Sequence, residues 1–261
     1  MGVMLVVLLY GIWSSMFALA KMALHYCPPV CLTAFRMLLA GILLTGYLAL
    51  RNRSSFKLKK KQWLSLAALA FFSIYLTNVL EFWALQYLTA AKACFIYSLA
   101  PFFAAFFSYL HFGEKMNGKK WLGLSIGFAG MLPVFYTQTG AEELLNLPSF
   151  FSLPTLAIVG AALFSVYGWV ILRVVVKDQM ISPLMANGSS MFIGGCFALI
   201  HSFCVDSWKP FPFELAHLAP LSFWVLLMTF LSNILCYNLY GMMLKKFTAT
   251  FLSFLGLLSP L

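Results

Sequence analysis

The stretch Leu85-x3-Thr89-Ala90-x4-Phe95-x5-Pro101 returns as Leu244-x3-Thr248-Ala249-x4-Phe254-x5-Pro260, at one constant offset and with no gap. Both copies lie in segments apolar enough to be membrane helices. An internal repeat in a polytopic membrane protein points to a secondary transporter, because alternating access is most simply built from two similar halves rocking around one site. The composition fits a bilayer solvent: 62% of residues are hydrophobic and 9% charged, with a mean hydropathy of +0.92. A water-solvated globule could not hide that much apolar surface.

Working outward from the repeat, apolar runs bounded by charge or by Pro and Gly cover 2–23, 29–50, 62–84, 88–111, 121–137, 154–176, 183–204, 220–243 and 249 onward. Each is near the roughly 20 residues that cross about 30 Å of hydrocarbon. That makes eight spans and the start of a ninth. Of the 17 Lys and Arg, 13 fall in alternate connections. They are Arg51, Arg53, Lys57, Lys59, Lys60 and Lys61; Lys115, Lys119 and Lys120; Arg173 and Lys177; and Lys245 and Lys246. The positive-inside rule puts these connections and the N-terminus on the cytoplasmic side of the membrane. The opposite connections hold Lys209 beside Glu142, Glu143, Asp206 and Glu214.

The net charge of +10 is not a nucleic-acid footprint, because its bulk lies in short loops flush with apolar spans, where it meets anionic headgroups. Six cysteines without a C-x-x-C pair suit neither a zinc site nor a disulfide framework and read as apolar filler. No cofactor or metal site is expected. Ala18-Leu19-Ala20 resembles a signal-peptidase site, but no basic residue precedes the run and further spans follow, so a retained first helix is expected.

Five spans precede an outer linker at 138–153, marked by Gln138, Gly140, Glu142, Glu143, Asn146 and Pro148. An odd number of helices per half inverts the second relative to the first. The expected architecture is an all-α membrane bundle of 5+5 inverted repeats, with 1–137 as the first half and 154–261 as the second. On the first-half template a charged turn like Gly113-Glu114-Lys115 and a span like 121–137 should follow Pro260. The chain therefore reads as about eight and a half helices of a ten-helix protein.

Arg36, Glu81-Phe82-Trp83-Ala84-Leu85, Leu88-Thr89-Ala90-Ala91, Pro101, Gly113-Glu114-Lys115, Trp121-x-Gly123 and Gly127-x-x-Gly130 together resemble the EamA-type branch of the drug/metabolite transporter superfamily. The resemblance covers essentially the whole chain, although Ser190 stands at the position equivalent to Arg36. It implies a ten-helix carrier with both termini cytoplasmic and a central cavity lined by both halves. The superfamily moves amino acids, nucleotides, sugar phosphates and drugs, so resemblance at this level names no solute.

The residues narrow the choice. With Arg173 counted to the connection at the end of its span, the Lys, Arg, Asp and Glu inside the spans are Lys21, Arg36, Glu81 and Lys92. A charge at the bilayer centre costs about 2.5–3.5 kcal/mol on insertion scales, so such residues usually face a cavity and a partner. At about 1.5 Å per residue, Arg36 and Lys92 lie roughly 10 Å and 6 Å deep from the outer face, and Lys21 and Glu81 lie near it. Three bases against one acid suit a carboxylate or phosphate, with Glu81 serving a cationic group on the same solute. Two other readings stand beside this one: Lys21 and Lys92 snorkel to headgroups, and Glu81 pairs with a lysine for neutrality alone. Trp13, Tyr75, Trp83, Tyr97, Tyr167, Trp169 and Tyr237 lie at similar levels to Ser14, Asn78, Asn187, Asn233 and Asn238. They offer stacking faces and amides, or simply pack. Asn78 and Asn233 are taken to open equivalent helices. Pro101 and Pro260 each remove a backbone donor mid-span, where a gate flexes or the helix merely kinks.

Two bases, one acid and an aromatic lining fit a zwitterion or anion bearing a planar group. Tyr10-Gly11-Ile12-Trp13-Ser14-Ser15 and Leu32-Thr33-Ala34-Phe35-Arg36-Met37 are similar to the S-adenosylmethionine carriers of obligate intracellular bacteria. That resemblance implies uptake of S-adenosylmethionine in exchange for S-adenosylhomocysteine. Separately, a monomer is expected. Export of an amino acid or drug, or proton-coupled uptake through Glu81, remain alternatives. A membrane enzyme, channel or scaffold is the rival class. For an enzyme, His25, His111, His201 and His217 are scattered, and neither H-E-x-x-H nor a Walker A motif occurs.

Overall fold

A computed structural model describes residues 2–139, 152–209 and 211–258. Among these, nine helices follow one another: α1 (Gly2–Ala23), α2 (Pro29–Arg51), α3 (Lys60–Leu85), α4 (Ala90–Phe112), α5 (Gly118–Thr139), α6 (Leu153–Asp178), α7 (Pro183–Val205), α8 (Leu215–Met243) and α9 (Ala249–Leu255). All but α5 and α9 are long and apolar enough to cross a membrane, which makes seven candidate spans. The predicted 121–137 run is the helix α5, but it is not among those seven. Most of the proposed linker, and Pro260, lie outside the described residues.

The repeated motif has a local cause. Leu85 ends α3, and Thr89 caps α4 by accepting a hydrogen bond from the Lys92 amide at 3.2 Å. In the second copy Leu244 follows α8 directly, and Thr248 caps α9 from the Phe251 amide at the same distance. A threonine oxygen here takes up one of the amides that a helix start leaves unbonded. Past the cap, α4 breaks at Ser98 and Leu99 and restarts at Ala100, and α9 tightens into a 3-10 turn at Gly256–Leu258. Pro101 therefore sits in the first turn of a new helical segment, where its missing donor leaves no bond unmade. Gly113 closes α4 in the left-handed conformation at φ 64°, which a residue with a Cβ adopts only with strain.

A second likeness lies within α3 and α8, which the sequence reading took as plain apolar spans. Each contains a π-helical stretch, Ala70–Leu76 and Thr229–Cys236. The Asn78 amide donates to the carbonyls of Ser73 (3.3 Å) and Ile74 (2.8 Å), and Asn238 does the same to Asn233 (3.5 Å) and Ile234 (2.8 Å). The counterpart of Asn78 is thus Asn238. Asn233 lies inside the π stretch and opens no helix.

The most extensive helix pair is α2 with α7. A Cβ on Gly41 would stand 2.5 Å from the Phe192 amide nitrogen, and one on Gly195 would stand 2.8 Å from that of Leu38. Position falls along one helix as it rises along the other, so the two run antiparallel. When both are aligned at their N-terminal prolines, Leu38 corresponds to Phe192 and Gly41 to Gly195. The two contacts then exchange. Elsewhere α3 packs on α6 as α8 packs on α1, and α4 on α6 as α9 on α1.

Three apolar clusters result among the described residues. One gathers Leu9, Leu69, Val166, Val175, Tyr240 and Leu252. A second gathers Ala20, Leu32, Phe82, Ile96, Ile158 and Met228. The smallest, Met37, Ala40, Leu44, Ile74 and Met191, lies where α2, α3 and α7 meet. The basic connections share one end of the bundle. Gln62 of α3 donates to the Gln179 carbonyl after α6 at 3.2 Å, and Arg173 of α6 pairs with Glu114 of the α4–α5 turn at 2.7 Å. All six cysteines are free, with Cys27, Cys31 and Cys236 buried, Cys94 and Cys196 half-buried and Cys204 exposed. The last does not fit the filler reading.

Candidate functional site

Residues associated with the two larger clusters line a central cavity of about 100 Å³. The α1 face contributes Tyr10, Trp13, Ser14 and Phe17, whose spacing of three, four and seven residues aligns them on one side of a helix. From α3 come Thr77, Asn78 and Glu81, and from α4 Cys94 and Tyr97. Arg36 enters from α2, Ser165 and Trp169 from α6, Ser232 and Tyr237 from α8, and Ser253 from α9. Every helix except α5 and α7 supplies a wall.

The charges are held by different partners. Arg36, 3% exposed, donates through Nη2 to Oδ1 of Asn78, and its guanidinium lies 4.8 Å from the centre of the Phe82 ring. Its Nε is buried with no hydrogen-bond partner among the described residues. Glu81 accepts a hydrogen bond from the Tyr97 hydroxyl at 2.6 Å. Arg36 and Glu81 thus face one cavity without forming an ion pair: the pairs among the described residues are Arg173 with Glu114 and His217 with Glu214. A buried charge that lacks a full set of partners is costly, which favours a ligand able to supply them. The π stretch in α3 bears directly on this arrangement. Its released carbonyls hold the Asn78 amide, which turns Oδ1 toward Arg36.

The aromatic wall is continuous across α1, α6 and α8. Trp13 stacks on Trp169 with ring centres 6.0 Å apart at 17°, meets Tyr237 edge-on at 5.6 Å, and donates through its indole to Ser232 at 3.3 Å. Trp169 contacts Tyr240 at 4.9 Å. Such a wall presents ring faces and edges to a planar group.

Of the residues singled out in the sequence, Trp13, Ser14, Arg36, Asn78, Glu81 and Tyr97 line the cavity, and so do Trp169 and Tyr237. Lys21, Lys92, Asn187 and Asn233 do not. Lys21 donates to the Leu88 carbonyl at 2.7 Å and ties α1 to the α3–α4 turn. Lys92 is buried in the first turn of α4. Asn187 bonds the Tyr237 carbonyl (2.9 Å) and Asn238 (3.1 Å), and Asn233 lies against the sulfurs of Met37 and Met191. Tyr75 bonds His201 at 3.1 Å, while Trp83 packs on Tyr87 and Tyr167 on Phe72. The cavity's own charge is therefore one base against one acid rather than a positive excess. Tyr10 and Phe17 were not singled out in the sequence, although their helical spacing with Trp13 and Ser14 is a signal that finds them. Ser165, Ser232 and Ser253 carried no local signal, since serine is common in such helices and only their neighbours across the bundle bring them together.

Comparison with known proteins agrees with this picture. Residues 1–136 match the EamA-like transporter family. The chain is 40% identical to a protein of Chlamydia muridarum over 100% of its own length and 81% of the other, and 39% identical to one of Chlamydia trachomatis serovar L2 over 100% and 79%. Both are named S-adenosylmethionine/S-adenosylhomocysteine transporter. An uncharacterised Bacillus subtilis transporter is 28% identical over 79% of this chain and 64% of its own length. One solved crystal structure superposes with a TM-score of 0.72 at 17% identity, covering 99% of this chain and 84% of that one, a likeness of fold. The chain belongs to the EamA-like transporter family and is a multi-pass membrane transporter.

Proposed function

We propose that the protein takes up S-adenosylmethionine across the bacterial cytoplasmic membrane in exchange for S-adenosylhomocysteine. It does so by alternating access of two inverted five-helix halves, 1–137 and 154–261, joined by the outer linker 138–153. A 5+5 repeat has ten helices, and α1 to α9 occupy the first nine places. The halves are supported by the exchangeable contacts of α2 with α7, by the paired π stretches of α3 and α8, and by the matching Thr89 and Thr248 caps. The basic connections at one end support a cytoplasmic N-terminus. The protein acts as a monomer.

One observation carries the choice of solute: Arg36 and Glu81 face the same cavity, each held by a neutral neighbour and not by the other. A zwitterion can engage both at once, its carboxylate completing Arg36 through the open Nε and a cationic group meeting Glu81. The wall of Trp13, Trp169 and Tyr237 suits an adenine ring. The names of the chlamydial relatives agree. At about 100 Å³ the cavity is below the roughly 300–1,000 Å³ usual for drug-sized ligands, so loading requires the halves to part. The same small volume favours a second reading, export of an amino acid, whose head group is the part a smaller cavity holds unaided.

The test is uptake of radiolabelled S-adenosylmethionine by cells expressing the protein, with and without preloaded S-adenosylhomocysteine, beside Arg36→Ala. Saturable uptake, accelerated from the opposite side and lost in the variant, is the expected result. No uptake above vector controls, with the protein present in the membrane, refutes this solute and turns the search to amino acids.

A further inference from the structure

The two exchanged compounds share a carboxylate, an ammonium, a ribose and an adenine. They differ in one methyl group and the positive charge that it puts on sulfur. An exchanger must accept both, and the methyl group with its sulfonium charge is the feature by which a site can prefer one over the other. Resting on the proposed exchange, we infer that Glu81, oriented by Tyr97, is the residue that reads the sulfonium charge, while Arg36 holds the part common to both compounds.

The placement of the two charges carries the assignment. Asn78 and Glu81 are three residues apart on α3, so they share a face and are offset by about 4.5 Å along the helix axis. Asn78 anchors the Arg36 guanidinium, and Glu81 is held by a different neighbour, the Tyr97 hydroxyl on α4, at 2.6 Å. The carboxylate and ammonium of an amino acid sit on one carbon and fall together at the Arg36 end. The sulfur lies three bonds further on, about 4 Å away by ordinary bond lengths. That step matches the offset between the two side chains and brings the sulfonium to Glu81.

Glu81 is the acid of the cavity lining among the described residues, and Arg36 is its base. The other titratable side chains lining the cavity are Tyr97 and Cys94 from α4, Tyr237 from α8 and Tyr10 from α1. None of them supplies a second carboxylate. Tyr97 packs against Phe17 with ring centres 5.2 Å apart, which fixes the bearing of its hydroxyl and of the carboxylate it holds. With the thioether in place of the sulfonium, Glu81 keeps its Tyr97 bond and gains nothing from sulfur. With the sulfonium it gains a charge–charge attraction in a poorly hydrated site. A residue that reads charge in this way discriminates by a favourable contact that only one cargo can make.

The experiment is exchange in proteoliposomes containing the purified protein, with half-saturation measured separately for the two compounds. Glu81→Gln should raise the value for S-adenosylmethionine about tenfold or more, the scale of one lost charge-assisted contact, and that for S-adenosylhomocysteine less than about threefold. Tyr97→Phe should shift the ratio in the same direction by less. On the unaltered protein, a nitrogen analogue of S-adenosylmethionine, cationic at acidic pH, should compete more strongly than S-adenosylhomocysteine. Equal loss of both compounds in Glu81→Gln would mean that Glu81 holds the shared ammonium, and it overturns the assignment while leaving the exchange intact. An analogue that competes no better than the thioether overturns it as well. Failure of the unaltered protein to move either compound overturns the exchange reading, and this inference with it.

Discussion

Gly41 and Gly195 face each other's helices at the α2–α7 crossing, and an alanine at either should push those helices apart. At Gly41 the new Cβ would meet the Phe192 amide nitrogen at 2.5 Å, its Cα at 2.6 Å and its Cβ at 2.8 Å. Carbon atoms pack best at about 3.5–4.0 Å, so the helices must separate by roughly 1 Å. The opposing atoms are mainly backbone, which no side-chain rotation can clear. Gly41→Ala should therefore sit at the upper end of the usual overpacking range, about 2–3 kcal/mol. Gly195→Ala, facing the Leu38 nitrogen at 2.8 Å and its Cγ at 2.9 Å, should cost about the same. One separation of α2 from α7 relieves both clashes, so the double variant should lose about 3–4 kcal/mol rather than the sum. Gly11→Ala in α1 is the control: nothing lies within 4 Å of its Cβ, and the better helix propensity of alanine should stabilise by up to about 1 kcal/mol. Thermal unfolding of detergent-solubilised protein, followed by size exclusion, ranks the four proteins. Uptake measured in parallel should fall in Gly41→Ala, because Arg36 lies little more than one turn away on α2. If Gly41→Ala behaves like Gly11→Ala, or if the two crossing variants add fully, the close antiparallel contact is refuted.

Asn78→Leu removes the acceptor of Arg36 and the donor that satisfies two π carbonyls, which should cost about 1–3 kcal/mol per orphaned group. Half-saturation should rise as well, whereas Asn238→Leu should lower thermal stability and leave half-saturation little changed. Arg173→Met breaks the 2.7 Å pair with Glu114 and the contact 4.0 Å above the Phe112 ring. Because Glu114 is part-exposed and screened, the expected loss is only about 1–2 kcal/mol, most evident at low salt in a melting series. Lys21→Met should leave transport half-saturation unchanged, because Lys21 bonds the Leu88 carbonyl and does not line the cavity. Arg36→Lys should raise it about tenfold or more through loss of the guanidinium fork, and equal behaviour of the two in uptake assays refutes the placement of these cations.

Hydropathy placed nine helices within a few residues of where they lie, because length and apolarity are local properties of a chain in lipid. The same local reasoning found the repeated Leu-Thr-Ala motif, whose threonines prove to be helix caps. It also found Trp13, Arg36, Asn78, Glu81 and Tyr97, since a polar or charged group inside a span stands out against its neighbours. Depth along a helix can be counted from the sequence too, but counting gathers four ionisable residues near one face without saying which way each points. Lys21 turns to a backbone carbonyl, and Arg36 and Glu81 turn inward.

What the chain alone could not set is the angular placement of helices around one another. The π stretches are invisible to a 3.6-residue pattern, yet they rotate the ends of α3 and α8 and make Asn238, not Asn233, the partner of Asn78. Ser232, Ser165 and Ser253 become cavity wall only because α8, α6 and α9 pack where they do. That Arg36 and Glu81 are held by separate partners, Asn78 and Tyr97, and not by each other, on which the choice of solute turns, follows from how α2, α3 and α4 pack. Local chemistry therefore settled that the protein is a helical membrane carrier. The packing of small-residue faces settled which side chains share a cavity, because contacts between helices distant in sequence leave no periodicity in either one.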